Sequence, residues 1–163
     1  MDFKIRFSGK AHEYTQDEID VVIQAMKKAD PYTQGAYQKA FEKKFCEYIG
    51  ADHAFAVNNA TSALEMAAQL CQFEPGDEVI IPAHTFTSSA YAFAKKGAKI
   101  VWADIDLYTR VITSDSIASK ITSKTKAIVA VHLYGYAADM PSISRLAADR
   151  GILLIEDVAQ AMG

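Results

Sequence analysis

The sequence predicts an α/β fold, a mostly parallel sheet with helices on both faces, and three observations carry that expectation. From residue 51 onward, short apolar runs alternate with helix-like stretches, the order of elements that builds a parallel sheet. The connections between them are short, with no low-complexity tract or internal repeat. The last run, Ile152 to Ile155, is apolar at every position and passes straight into Glu156 and Asp157, as a strand buried on both faces does when it ends at a polar rim.

Taken in order, residues 1 to 14 show no periodicity and read as an extended arm. Thr15, Gln16, Asp17 and Glu18 make a capping box, in which the Thr15 hydroxyl and the Glu18 carboxylate satisfy the first free amides of a helix. Its apolar stripe is Ile19, Val22, Ile23 and Met26. Asp30-Pro31 ends that helix, because a residue before proline is pushed out of the α region. A second helix, Ala36 to Ile49, carries Tyr37, Phe41 and Phe45 on one side and stops at Gly50, a natural left-handed position. Residues 1–50 are therefore an arm with two helices, and residues 51–163 an α/β domain. Strands are expected at His53 to Val57, Glu78 to Ile81, Lys99 to Ala103, Lys126 to Leu133 and in the final run. Helices are expected at Thr61 to Cys71, Thr87 to Lys95, Ser114 to Ile121 and Met140 to Asp149.

Composition removes several function classes. Half of the 163 residues are hydrophobic and 23% are charged, which suits a globular domain with a sizeable core. The net charge of −3 comes with no basic stripe, so nucleic acid is not an expected partner. No apolar run reaches membrane-spanning length, and the chain reads as cytoplasmic. Cys46 and Cys71 lie on separate helices without CxxC spacing, which argues against a disulfide or zinc site. His12, His53, His84 and His132 share no metal-ligand spacing, so no metal is expected. GxGxxG, GxxxxGK[ST] and GxSxG are all absent. The acidic pair of a receiver domain would come from an early strand, not the last.

Parallel sheets gather function outside the carboxyl ends of their strands. Asn58-Asn59-Ala60-Thr61-Ser62 opens a helix there: it is either an anion site built of free amides and hydroxyls, or an ordinary cap by Asn59 or Thr61. Pro82 to Ser89 places Phe86 at the same rim, to stack on a flat ring or to join the core. His132 either faces the crevice or is a satisfied histidine on a sheet face. Asp157, half buried at a strand end, wants a cation, a donor or a metal. Glu156 points the other way because strand side chains alternate, and Gln160 is the one long polar side chain in the small-residue turn that follows.

In that order, the helix-opening loop, rim aromatic and strand-end aspartate resemble the large domain of fold type I pyridoxal phosphate enzymes. More narrowly, NNATSALEMAA, PGDEVIIPAHTFTSSA, GAKIVWADID, TKAIVAVHLYG and LLIEDVAQAMG resemble the DegT/DnrJ/EryC1/StrS sugar-nucleotide aminotransferases. The resemblance implies that residues 51–163 are part of a cofactor-binding large domain, that pyridoxal 5'-phosphate is the cofactor, and that a nucleotide-linked keto-deoxysugar and glutamate are the substrates of a homodimer. It further implies roles: Asp157 pairs with the pyridine nitrogen, keeping it protonated so that the ring draws electrons from the substrate carbon. Thr61 and Ser62 hold the phosphate, Phe86 stacks on the ring and Gln160 bonds the ring hydroxyl. Ala60 stands where the family often has glycine.

The family's Schiff-base lysine has no counterpart in these motifs, since the resemblance places it shortly after the segment ending at Gly163. The sequence is thus expected to be the amino-terminal part of such an enzyme and, by itself, not to transaminate. Two other readings stand beside it: a dehydratase of the same fold, with histidine in place of the lysine, and a non-catalytic binding or assembly fragment.

Overall fold

The computed structural model describes residues 13–162, so most of the expected arm and Gly163 lie outside the described residues. The chain divides into two compact units, the first ending at Ala56 and the second beginning at Val57. In the first, helix α1 (Gln16–Lys28) starts on the expected capping box, with Thr15 and Glu18 each satisfying the other's backbone amide. It ends at Ala29, two residues before Pro31. Helix α2 (Ala36–Ile49) closes on Gly50 at φ +70°, where a side chain would be strained. The stripe of Ile19, Val22, Ile23 and Met26 remains exposed on α1.

The expected strand at His53 to Val57 does not form. These residues join no ladder, Phe55 is largely exposed, and the Ala56 amide donates to the Glu42 carboxylate at 2.9 Å. Their alternation satisfies the period of a strand, but a strand also needs a neighbour's backbone, and here a side chain takes its place.

The second unit holds helix α3 (Ala60–Leu70), strand β1 (Glu78–Pro82), helix α4 (Ser88–Ala94), strand β2 (Lys99–Ala103), helix α5 (Ser114–Ala118), strand β3 (Thr125–Val131), helix α6 (Met140–Arg150) and strand β4 (Leu153–Asp157). The four strands form one sheet in the order β2-β1-β3-β4, every neighbouring pair parallel. β1 and β3 are central, and their apolar runs are buried. Alternation divides them between two cores. Val79, Ile81, Val129 and Val131 meet Leu64, Ala68 and Phe93 of α3 and α4. Ile80, Ile128 and Ala130 meet Ile117, Ile143 and Ala147 of α5 and α6. Helices therefore cover both faces, and each large apolar side chain so buried contributes about 1.5–3 kcal/mol.

Two further placements set up the site. α3 lies on the same face as α4 and reaches β4. Its carboxyl end is pinned beside the start of β3, where Lys126 donates to the Gln72 carbonyl at 2.7 Å. Eleven residues at 1.5 Å rise carry the helix about 16 Å, so its amino end opens toward the carboxyl ends of the strands.

Candidate functional site

At the carboxyl end of β4, Asp157 stands opposite Val131 in the parallel register, and its carbonyl accepts from the His132 amide at 3.1 Å. Its side chain is only 8% exposed. One carboxylate oxygen, Oδ2, accepts from the Ser89 hydroxyl at 2.7 Å, and Oδ1 accepts from the Ala159 amide at 3.2 Å. Both donors are neutral. A buried carboxylate without a positive partner is costly to hold, and among the described residues no lysine, arginine or histidine pairs with it.

Asp157 lines a recess of about 20 Å³ with Phe86, Val131, His132, Leu133, Ala159 and Gln160. That volume takes a water or the edge of a ring, not a whole ring. Phe86, 68% exposed, stands at the recess and not in the core, which settles the two sequence alternatives for its placement. Gln160 is oriented by the backbone: its Oε1 accepts from the Tyr134 amide at 2.8 Å, leaving the amide nitrogen as the free, donating end. Tyr134 itself sits at φ +58°, an uncommon conformation for a side-chain-bearing residue, and this turn aims its amide. His84, whose Nδ1 is buried with no partner among the described residues, has its ring 5.8 Å from that of Tyr134.

His132 is the satisfied histidine. It is 4% exposed; Nδ1 accepts from the Ala138 amide at 3.0 Å, so the ring proton is assigned to Nε2, which faces Glu156 Oε2 at 3.2 Å. Glu156 is exposed and lies on the face opposite Asp157, as strand alternation requires.

At the amino end of α3, Asn59 is the cap: its side chain accepts from the Ser62 amide at 2.9 Å. The Ser62 hydroxyl donates to Asn58 Oδ1 at 2.7 Å, and Thr61 beside it is half-buried. The ordinary-cap reading thus holds in this geometry. An anion here would take over the amide that Asn59 now engages, joined by the hydroxyls of Thr61 and Ser62 and the helix dipole.

Could this set hold pyridoxal phosphate? The donors fit. A buried carboxylate lacking a cation suits a protonated ring nitrogen, an exposed aromatic suits the ring face, a free amide donor suits a ring oxygen, and a helix start suits a phosphate. Sequence reasoning missed Ser89, Thr85 and the Tyr134 backbone. Ser89 lies 68 positions from Asp157, and no local pattern links them. Among the described residues, no group of three His, Cys, Asp or Glu gathers to hold a metal ion, and no helix is long and apolar enough to cross a membrane.

Comparison with known proteins points to one family. The family model described as the DegT/DnrJ/EryC1/StrS aminotransferase family matches residues 13–163. The chain is 38% identical to the 3-amino-5-hydroxybenzoate synthase of Amycolatopsis mediterranei, over 93% of this chain and 39% of that protein. It is 39% identical to the GDP-perosamine synthase of Caulobacter vibrioides, over 97% of this chain and 43% of that one. Among solved structures, the aminotransferase from Psychrobacter cryohalolentis superposes with a TM-score of 0.88 at 39% identity, over 97% of this chain and 40% of that chain. NtdA from Bacillus subtilis, solved with bound cofactor PMP, gives 0.84 at 33% identity, over 91% and 35%. The chain spans about two fifths of the length of the curated relatives it matches.

Proposed function

The chain belongs to the DegT/DnrJ/EryC1/StrS aminotransferase family, and from that premise we propose that it serves a pyridoxal 5'-phosphate-dependent aminotransferase acting on a nucleotide-linked keto-deoxysugar, with glutamate as amino donor. The observation that carries this reading is the buried, cation-free carboxylate of Asp157 at the mouth of a recess shared with Phe86 and Gln160. When bound, the cofactor supplies an electron-withdrawing ring for chemistry at a substrate carbon. This chain's residues supply part of its surroundings. Asp157 accepts the proton-bearing ring nitrogen, Phe86 covers a ring face, Gln160 donates to the ring hydroxyl, and Thr61 and Ser62 hold the phosphate.

The nucleotide sugar is supported by relatives such as GDP-perosamine synthase, whereas the 3-amino-5-hydroxybenzoate synthase is named for an aromatic product. A substrate panel separates the two. Assembly as a homodimer is supported by the exposed apolar stripe of α1, and sedimentation of the protein as a monomer would count against it. Residues 1–50 then serve assembly and residues 51–163 the cofactor. Cys46 and Cys71 are free thiols, in keeping with the cytoplasm.

None of the residues lining the recess is a lysine. Lys95, Lys96, Lys99 and Lys126 are engaged with Glu65, Gln69, Glu78 and Asp77. We therefore expect these 163 residues to bind the cofactor without completing a transamination. The test has two parts. Pyridoxal phosphate is titrated into the purified protein by fluorescence. Glutamate is then added with either a nucleotide-linked keto sugar or an aromatic keto acid, and amino-group transfer is followed by mass spectrometry. Saturable cofactor binding without turnover is the expected result. No saturable binding overturns the reading, and turnover of the aromatic acid alone overturns the sugar assignment.

A further inference from the structure

A serine in the first turn of a helix ordinarily spends its hydroxyl on its own turn. Ser89 does not. It is fully buried at 0% exposure, and its proton goes to Asp157 Oδ2 on β4, at 2.7 Å. Its oxygen in turn accepts from the Thr85 hydroxyl at 2.8 Å. The result is a short directed chain, Thr85 to Ser89 to Asp157, in which every proton points toward the carboxylate. Such a chain is satisfied only while the carboxylate is an acceptor, and it fixes which lone pairs remain for a ligand.

The location gives the chain its meaning. Thr85, on the loop that leaves β1, and Ser89, in the first turn of α4, flank Phe86, so the two hydroxyls tie the segment carrying the rim aromatic to the strand carrying the acid. The Ala159 amide holds the other carboxylate oxygen. Between them, the two donors set the plane of the carboxylate at the recess.

We propose that Ser89, backed by Thr85, is a positioning residue that holds the Asp157 carboxylate in the plane needed to receive the cofactor's ring nitrogen, and that holds Phe86 at a fixed distance from it. The inference rests on the cofactor reading above and deepens it. Removing the Ser89 hydroxyl leaves a buried lone pair of Asp157 without its donor and frees the carboxylate to turn. The Ala159 amide then loses its partner as well.

The test uses Ser89→Ala, Ser89→Thr and Thr85→Val in the full chain, with two readouts. Hydrogen exchange of the Ala159 amide, without cofactor, reports the carboxylate directly. Fluorescence titration with pyridoxal phosphate reports its consequence. In Ser89→Ala, Ala159 exchange should quicken and the Kd rise, each roughly tenfold. Ser89→Thr should restore both, and Thr85→Val should fall between Ser89→Ala and the parent. Circular dichroism confirms that each variant is folded; should Ser89→Thr not fold, the order Ser89→Ala, Thr85→Val, parent decides. Unchanged Ala159 exchange in Ser89→Ala overturns the proposal, as does an unchanged Kd with exchange quickened when Asp157→Asn does weaken binding. Failure of the parent chain and Asp157→Asn to differ in cofactor binding, with Ala159 exchange still answering to Ser89, would overturn the cofactor reading and leave the positioning of Asp157 standing.

Discussion

The two ends of the same sheet bury carboxylates to a similar degree and treat them differently. At the amino end, Glu78 is 4% exposed; it accepts from Lys99 at 2.8 Å and from the Thr122 hydroxyl at 2.6 Å. Its neighbour Asp77 accepts from the Glu74 amide at 2.8 Å and pairs with Lys126 at 3.2 Å. At the carboxyl end, Asp157 is 8% exposed and has a serine hydroxyl and a backbone amide, with no cation among the described residues. Paired charge fastens the ends of β1, β2 and β3 together. Unpaired charge at the other end is a cost the fold carries, and it is recovered when a cation arrives. A buried carboxylate therefore signals function by what its partners lack.

The largest effect that could break this contrast is on Asp157. Asp157→Asn should weaken pyridoxal phosphate binding roughly 10- to 100-fold, the worth of a hydrogen bond to a charged group, while leaving the thermal midpoint unchanged or raised, because a buried charge is removed. Titration and melting on the same sample check both. A lowered midpoint with unchanged affinity would make Asp157 another fastener.

Glu78→Gln is the mirror experiment. It should cost about 1–2 kcal/mol of stability, lowering the melting midpoint by a few degrees, with no change in cofactor affinity. Acidification sharpens the same point. Lys99 foremost, then Thr122, holds the Glu78 carboxyl below its ordinary 4.5, and the Glu74 amide, then Lys126, holds Asp77 below 3.8. A carboxyl lowered by folding stabilises fully above its ordinary value, and that stabilisation is lost as pH falls through the folded one. Denaturant midpoints should thus drop as pH falls below about 4.5, and less steeply in Glu78→Gln. The smallest effect belongs to Phe86→Ala, about 0.5–1.5 kcal/mol of stacking or a severalfold weaker Kd, with no loss of stability because the ring is already exposed.

The contrast also explains what the sequence could and could not reveal. The alternation of strands and helices, the capping box at Thr15 and the place of Asp157 at a strand end all follow from local periodicity and the rule for parallel sheets, and the structure has each of them. His53 to Val57 has the period of a strand but no backbone to pair with. Ser89 was invisible because its partner lies 68 positions away on β4, and such pairing leaves no trace in spacing; Thr85 joins the acid only through Ser89. His132 stayed undecided until both ring nitrogens had named partners. The roles of Thr61 and Ser62 rest on the family resemblance, while the geometry gives the Ser62 amide to Asn59.

The central claim is that Asp157 is kept without a cation so that it can receive one. The most direct measurement is the nitrogen-15 chemical shift of ring-labelled pyridoxal phosphate bound to the protein, followed from neutral to mildly alkaline pH. A ring nitrogen that remains protonated across that range, and loses its proton in Asp157→Asn, is the expected result. A bound ring nitrogen that is deprotonated in the parent chain, or indifferent to the substitution, would contradict it.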